Sequence, residues 1–167
     1  GIQAFVLQNI VDGLEICSRP YLDELSEGSL QLSIKVGSND SIIKNAAIRN
    51  PDGSWCSRPL ASLSGGQWRR LSLSLSLGFV HLASKRGNLR SSLLVMDEPL
   101  THLDSTGRAK VGKLLRKICS ETSLGLSTIL VILQDIAADE IDESFDQVDE
   151  IVKSGGESCI ILDENIL

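Results

Sequence analysis

Residues 63–79 read LSGGQWRRLSLSLSLGF, and this stretch decides how the chain is expected to fold. Its second half alternates leucine and serine, a pattern that on periodicity alone is typical of a strand. At about 100° per residue, however, the apolar side chains fall on two helical faces, one with Leu71, Leu75, Phe79 and Leu82 and the other with Leu73, Leu77 and Val80. The serines are small enough to let neighbouring elements approach closely. We therefore predict a helix that is buried on two sides, with Ser64 as its N-cap and Gln67 in the capping-box position.

A second motif follows at Leu93–Pro99, LLVMDEP, and a third at Leu103-Asp104. The apolar run Leu93–Met96 ends in two acids, as a buried parallel strand would. Carboxylates in this position suit phosphoanhydride hydrolysis, with Asp97 holding Mg²⁺, usually through water, and Glu98 acting as the base. The Ser-Gly-Gly start of the preceding helix exposes backbone N–H groups at the positive end of a helix dipole, which suits a phosphate.

The flanking segments predict helices and short strands around these motifs. A helix is expected from Ile2 to about Glu24 with a break at Pro20, then a hairpin of residues 30–36 and 42–48, a turn at Pro51–Ser54 and an irregular stretch before residue 63. Further on we expect a helix over 105–121 with Val111, Leu114, Leu115 and Ile118 inward, a strand over 128–133, an acidic helix over 137–143 and two strands over 148–152 and 158–162. The predicted fold class is α/β, with parallel strands flanked by helices and antiparallel β-hairpins in addition.

Charge is unevenly distributed along the 167 residues, whose net charge is −6. Residues 1–52 carry four basic and seven acidic side chains, residues 53–96 six basic and none acidic, and residues 97–167 six basic and fifteen acidic. The total argues against a protein that binds nucleic acid by overall charge, but the middle segment is a basic island. Its members are Arg58, Arg69, Arg70, Lys85, Arg86 and Arg90.

The four cysteines are far apart and have no zinc-ligand spacing, so we expect buried free thiols in a reducing compartment. Neither a run of 18 apolar residues nor a signal-peptide pattern is present, so no membrane association is expected. The expected location is intracellular, in the nucleus of a eukaryote or in an organelle.

Taken together, the three motifs resemble those of the ATP-binding-cassette (ABC) ATPases. Leu63–Gln67 matches the signature motif, Leu93–Glu98 the Walker B strand with its glutamate, and Leu103-Asp104 the D-loop. Read singly, Gly65-Gly66 fits a plain turn, Asp97-Glu98 a solvated strand end and Asp104 an N-cap. Their order and spacing favour the ABC interpretation. Trp68 is interpreted as a packing residue in preference to a base-stacking platform.

A Walker A loop, GxxxxGK[ST], is not encoded in these residues. Gly107–Lys113 has the glycine spacing, but Leu114 stands where Ser or Thr is required and the segment lies inside a predicted helix. The chain therefore resembles the C-terminal lobe of a structural-maintenance-of-chromosomes (SMC) or related DNA-repair ATPase head. A β-hairpin before the signature, where transporters have a helical subdomain, favours this choice. Residues 1–27 would be the helix next to a coiled coil, 28–62 the hairpin and loop, and 63–167 the motif-bearing part of one lobe.

The resemblance implies an ATPase that uses ATP and Mg²⁺ once a Walker A lobe is supplied, whereas the isolated chain is expected to be inactive. Ser64, Gly65, Gly66 and Gln67 would bind the nucleotide of a second head, with Asp104 as a further nucleotide-binding residue. Asp97, Glu98 and Gln134 would serve the nucleotide on their own side. Hydrolysis would separate the two heads.

Two departures from the family pattern leave alternatives open. Gln134 occupies the position of the usual switch histidine, and an amide can bind a phosphate but not as a cation, which predicts slow hydrolysis. The 84–92 stretch is either a solvated loop or a DNA contact, which would add Lys85, Arg86 and Arg90 to Arg69 and Arg70. The alternatives to a DNA-repair or DNA-organising ATPase are an assembly module with weak or no hydrolysis and part of a transporter nucleotide-binding domain.

Overall fold

A computed structural model describes residues 2–37, 41–87, 91–121, 124–134 and 144–161. The helices are α1 (Ile2–Ser26), α2 (Gly65–Lys85) and α3 (Ser105–Ser120). The strands are β1 (Leu30–Val36), β2 (Ile42–Arg49), β3 (Trp55–Arg58), β4 (Leu93–Asp97), β5 (Thr128–Ile132), β6 (Glu150–Ser154) and β7 (Glu157–Ile161). The predicted α/β class, with a parallel strand pair, flanking helices and antiparallel hairpins, is confirmed.

Helix α2 lies between two apolar cores, as the two-faced leucine pattern predicts. Leu71 packs with α1, β1 and β2 in one core, whereas Leu73 and Leu77 pack with α3, β4 and β5 in the other. The predicted helix is thus confirmed, although Phe79 is 61% exposed, contrary to its place on a buried face. Ser74 is fully buried and donates its hydroxyl proton to the Arg70 carbonyl, so it adds no unmatched polar group to the interior.

Helix α1 runs without a break through Pro20, so the predicted interruption is wrong. Proline leaves the carbonyl four residues earlier without its helical donor, and that residue, Ile16, is exposed. Packing against both α2 and β1 holds the helix on either side of the proline. Helix α1 also lies along the free edge of β1, where Glu15 Oε2 accepts from the Ile34 N–H (2.9 Å) and Gln8 Oε1 from the Val36 N–H (3.2 Å). These side chains satisfy edge groups that would otherwise be open to another strand.

The segment before the signature motif forms a three-stranded antiparallel sheet in the order β1-β2-β3. The predicted hairpin and the turn at 51–54 are confirmed, and the alternate residues Leu30, Leu32 and Ile34 are buried against α1. Strand β3 was predicted as irregular, which is wrong: its backbone pairs with β2 from Ala46–Arg58 to Arg49–Trp55. Its four residues carry no alternating pattern, so the pairing is dictated by the β2 edge.

Strands β4 and β5 pair in parallel, with Leu93 opposite Thr128 and Asp97 opposite Ile132. Leu94, Met96, Ile129 and Val131 face the core beneath α2 and α3. The opposite face is open, with Leu93, Val95, Leu130 and Ile132 exposed by 47%, 52%, 52% and 45%. The prediction of a buried strand therefore holds for one face of β4 only.

Helix α3 buries Val111, Leu114, Leu115 and Ile118 as predicted, and both glycines of the 107–113 segment lie within it, so the rejection of that segment as a phosphate loop is confirmed. Strands β6 and β7 form an antiparallel hairpin through Gly155-Gly156, which both have positive φ angles. The predicted acidic helix over 137–143 lies outside the described residues. The four cysteines are unpaired, but only Cys17 is buried and Cys159 is exposed, contrary to the expectation of burial.

Candidate nucleotide site

The signature turn begins α2 with the predicted capping box. Ser64 Oγ accepts from the Gln67 N–H at 3.2 Å, and Gln67 Oε1 accepts from the Ser64 N–H at 3.0 Å. The first intrahelical bond runs from the Trp68 N–H to the Ser64 carbonyl, which leaves the N–H groups of Gly65 and Gly66 ahead of it. Trp68 lies at the start of the helix and is 47% exposed, and its packing role stays a prediction. The turn can thus present two backbone donors at a helix N-terminus.

The two signature glycines contact the segment that follows β4 within the same lobe. A Cβ atom on Gly65 would lie 3.3 Å from the His102 Cβ, and one on Gly66 would lie 3.3 Å from the His102 carbonyl oxygen. His102 itself has a φ of 64°, in the left-handed region. The glycines therefore have a packing role that the sequence did not reveal, in addition to any approach by a ligand.

The acid pair lies at the carboxyl end of β4. Asp97 is the last residue of the strand and is exposed, whereas Glu98 continues the sheet by donating its N–H to the Ile132 carbonyl at 2.9 Å. Glu98 has a φ of 51°, a left-handed conformation that is uncommon outside glycine. Thr101 donates its hydroxyl proton to Glu98 Oε2 at 2.8 Å, while Oε1 is sealed from solvent and has no partner among the described residues. A hard, exposed carboxylate at Asp97 fits Mg²⁺, which usually takes one or two protein carboxylates and completes its shell with water and phosphate.

Two arginines of α2 hold the segment between the acids and the D-loop. Arg69 Nε donates to the Thr101 carbonyl at 3.2 Å, and Arg70 Nη2 lies 3.4 Å from Asp104 Oδ1. Asp104 also caps α3, because its Oδ1 accepts a hydrogen bond from the Gly107 N–H at 2.9 Å. This is the N-cap role that the sequence also indicates for it. The start of α2 and residues 98–104 thus form one connected unit.

Of the remaining predicted site residues, one follows β5 and two lie at the C-terminal end of α2. Gln134 follows β5 and is exposed, two positions after the residue paired with Asp97. Lys85 and Arg86 are exposed at the C-terminal end of α2, and Arg90 lies outside the described residues. Thr101 and His102 were missed by sequence reasoning, because their contacts depend on the positive φ angles of Glu98 and His102, which the residue types do not indicate.

Comparison with known proteins bears on this arrangement. No family model matches the chain. Among curated proteins, it is 26% identical over 137 residues to the vitamin B12 import ATP-binding protein BtuD of Photorhabdus laumondii, covering 82% of the chain and 49% of BtuD. Against the BtuD of Yersinia enterocolitica, it is 35% identical over 100 residues, covering 59% of the chain and 35% of that protein. The chain thus spans about half or less of these relatives' length.

Solved structures match over nearly the whole chain. A structure from work on ATP-driven dimerization and DNA-stimulated activation of SMC ATPases superposes with a TM-score of 0.70 at 17% identity, covering 95% of this chain and 88% of that one. The chain has the fold of an ABC-type ATPase head. The SMC head domain of Thermotoga maritima superposes with a TM-score of 0.55 at 18% identity, covering 96% of this chain and 52% of that one. An SMC head bound to the C-terminal winged-helix domain of ScpA gives 0.61 at 18% identity, covering 90% and 42%.

In this ABC-type head fold, the described residues contain no group of three or more potential metal ligands, and no helix among them is long and apolar enough to cross a membrane. The candidate metal contact is Asp97, an exposed carboxylate at the end of β4. The likeness to solved structures establishes the head fold, and the curated proteins that the chain resembles are ATP-binding proteins.

Proposed function

We propose that this chain is the C-terminal half of an SMC-like head that binds and hydrolyses ATP in DNA repair or chromosome organisation, and that it requires a Walker A lobe. The observation that carries the proposal is the exposed apolar face of β4 and β5, made of Leu93, Val95, Leu130 and Ile132. That face adjoins Asp97 and Glu98, and a contiguous apolar surface next to polar groups is typical of an interface. A Walker A lobe seated on it would bring phosphate-binding groups to the two acids.

The remaining site residues have the following roles in this proposal. Asp97 would hold Mg²⁺, while Glu98 accepts a proton from the attacking water and Gln134 contacts the γ-phosphate. Bound Mg²⁺ supplies charge neutralisation at the phosphates. Ser64, the N–H groups of Gly65 and Gly66, and Gln67 bind the nucleotide of a second head, close to Asp104. Glutamine at the switch position makes the reaction slow because it brings no positive charge.

Helix α1 is proposed to lead into a coiled coil. Five apolar residues along it are exposed, at Ile2, Phe5, Val6, Ile10 and Ile16, with exposures from 39% to 84%. Such a stripe is costly in water and is the kind of surface that a second helix covers. The antiparallel sheet that separates this helix from the signature motif supports an SMC-like head, whereas the curated BtuD relatives favour a transporter domain as the second candidate.

DNA contact is proposed for Lys85 and Arg86, with Arg90 beyond the described residues. Arg69 and Arg70 are directed to Thr101 and Asp104, so any DNA contact from them would compete with those internal bonds. The unpaired cysteines support a reducing intracellular compartment, the nucleus or an organelle in a eukaryote.

The test is the ATPase rate of the complete protein, with its Walker A lobe, in the presence and absence of DNA. We expect turnover that DNA stimulates, and loss of about a hundredfold or more in Glu98→Gln, because the amide cannot accept a proton. Glu157→Gln, on the exposed strand β7, is the matched control and should leave turnover unchanged. Absent hydrolysis in the wild type would favour the assembly module, turnover indifferent to DNA would favour a transporter domain, and full turnover in Glu98→Gln would remove Glu98 as the base.

A further inference from the structure

The turn that follows the acid pair contains a contact that the proposed reaction has not yet used. Thr101 Oγ1 lies 2.8 Å from Glu98 Oε2 and 3.1 Å from the Glu98 carbonyl oxygen. A hydroxyl has one proton to donate, and the shorter distance and the negative charge both favour the carboxylate. The Thr101 hydroxyl therefore fixes one of the two oxygens of the Glu98 side chain.

Two further bonds hold Thr101 in place. Its N–H donates to the Glu98 carbonyl at 3.3 Å, and its own carbonyl accepts from Arg69 Nε at 3.2 Å. Pro99 and Leu100, which lie between Glu98 and Thr101 in the chain, are almost fully buried and anchor the turn in the core. The hydroxyl is thus held by packing and by helix α2, and does not depend on a freely rotating surface side chain.

The other oxygen, Glu98 Oε1, has no hydrogen-bond partner among the described residues and is sealed from solvent. An unmatched buried acceptor is costly and calls for a donor. The Glu98 side chain is thus held inside this lobe at both oxygens, Oε2 by the Thr101 hydroxyl and Oε1 by burial, and the hydroxyl is its one side-chain hydrogen bond among the described residues.

We propose that Thr101 is a positioning residue for Glu98, whose carboxylate it orients by donating a hydrogen bond to Oε2. This inference rests on the proposed function, because it takes Glu98 as the base. It adds that the hydroxyl group of Thr101, and not the volume of the Thr101 side chain, sets the orientation of the Glu98 carboxylate. Valine has nearly the shape of threonine but cannot donate, and serine retains the donor, so the two variants separate hydroxyl from packing.

The experiment compares Thr101→Val, Thr101→Ser and Glu98→Gln in the complete ATPase. Thr101→Val should lower kcat by about tenfold while KM for ATP changes by less than about twofold, because the hydroxyl acts on the base and not on nucleotide binding. Thr101→Ser should restore kcat to within about twofold of wild type. Thermal unfolding of the Thr101→Val protein serves as the check that any loss is not caused by misfolding.

Several outcomes would overturn the inference. They are an unchanged or increased kcat in Thr101→Val, a Thr101→Ser protein as slow as Thr101→Val, or a loss that appears in KM alone. If Glu98→Gln is inactive while Thr101→Val is fully active, only the positioning role fails. If Glu98→Gln is active, the assignment of the base fails first, and the proposed function fails with it.

Discussion

Replacing Gly78 by alanine tests the close contact of α1 and α2 on which both cores depend. A Cβ atom on Gly78 would meet the Ser18 side chain and would lie 2.7 Å from the Ser18 Cα. The Cα atom belongs to the backbone, so relief requires a shift of one whole helix against the other. Overpacking of this kind costs about 1–3 kcal/mol, and the upper end applies here because a backbone must move.

An alanine in a helix interior is favoured over glycine by about 1 kcal/mol, which offsets part of that cost. We therefore expect Gly78→Ala to lower the free energy of unfolding by about 2 kcal/mol, or the melting temperature by roughly 4–8 °C for a domain of this size. Urea unfolding followed by circular dichroism measures the change. Gly13→Ala is the matched control in a helix interior, because its new Cβ would be close only to the ends of two flexible side chains, 3.0 Å from Leu82 Cδ1 and 3.5 Å from Arg86 Nη2, which can move away.

The sign of the change in the free energy of unfolding shows whether the two helices are in close contact at Gly78. If Gly78→Ala is as stable as the wild type or more stable, the close helix contact does not exist and the reasoning is refuted. Ser18→Gly in the Gly78→Ala background removes the side chain that blocks the new methyl group. The double variant should therefore lose less stability than the sum of the two single changes.

The remaining predictions concern a cap and a titrating pair. Asp104→Ala should lower the free energy of unfolding by about 1 kcal/mol, because α3 loses its N-cap. Asp104→Asn should lose much less stability, because asparagine can also cap the helix. Equal losses of the two variants in urea unfolding would show that the cap is not the cause. The pKa of His81 is lowered, first by burial and second by the nearby charge of Lys85. His81 Nδ1 lies 3.1 Å from the Tyr21 hydroxyl. Burial raises the pKa of Tyr21 to about 12, so Tyr21 remains protonated. The His81 imidazole therefore binds a proton less readily in the folded protein than in the unfolded chain. Its contribution to the free energy of unfolding is full above the unfolded pKa of about 6.5 and is lost as the pH falls below that value. The melting temperature of His81→Gln should fall less than that of the wild type between pH 7.5 and pH 5, and an equal fall would contradict this account.

The elements that the sequence predicts well are those in which local pattern and tertiary packing agree. Helix α2 is one example, because its leucines form two helical faces and both faces find a core. Strand β3 fails because its four residues carry no pattern and pair only with a neighbour that the chain supplies elsewhere. The prediction of a helix break at Pro20 is wrong for the opposite reason, since a strong local signal for a break is overridden by packing on two sides of α1.

The candidate site divides in the same way. The places of Ser64 at a helix start and of Asp97 at a strand end can be predicted from residue type and order, and the capping box can be predicted from spacing, whereas their chemical roles stay predictions. Thr101 and His102 cannot, since their contacts depend on two residues with positive φ, Glu98 and His102, at positions where propensity favours glycine or asparagine.

Those two left-handed residues explain why the site behaves as a unit. They bound a turn whose middle residues, Pro99 and Leu100, are buried, and the strain of roughly 1–3 kcal/mol at each is tolerated only because the core holds the turn. One end of the turn carries the proposed base, Glu98, and the other end packs against the signature glycines. A movement of the signature helix therefore cannot leave Glu98 undisturbed, because Arg69 is bonded to the carbonyl of the threonine that holds it. In a two-headed ATPase of the proposed kind, contact with one nucleotide would thereby be felt at the base that serves the other.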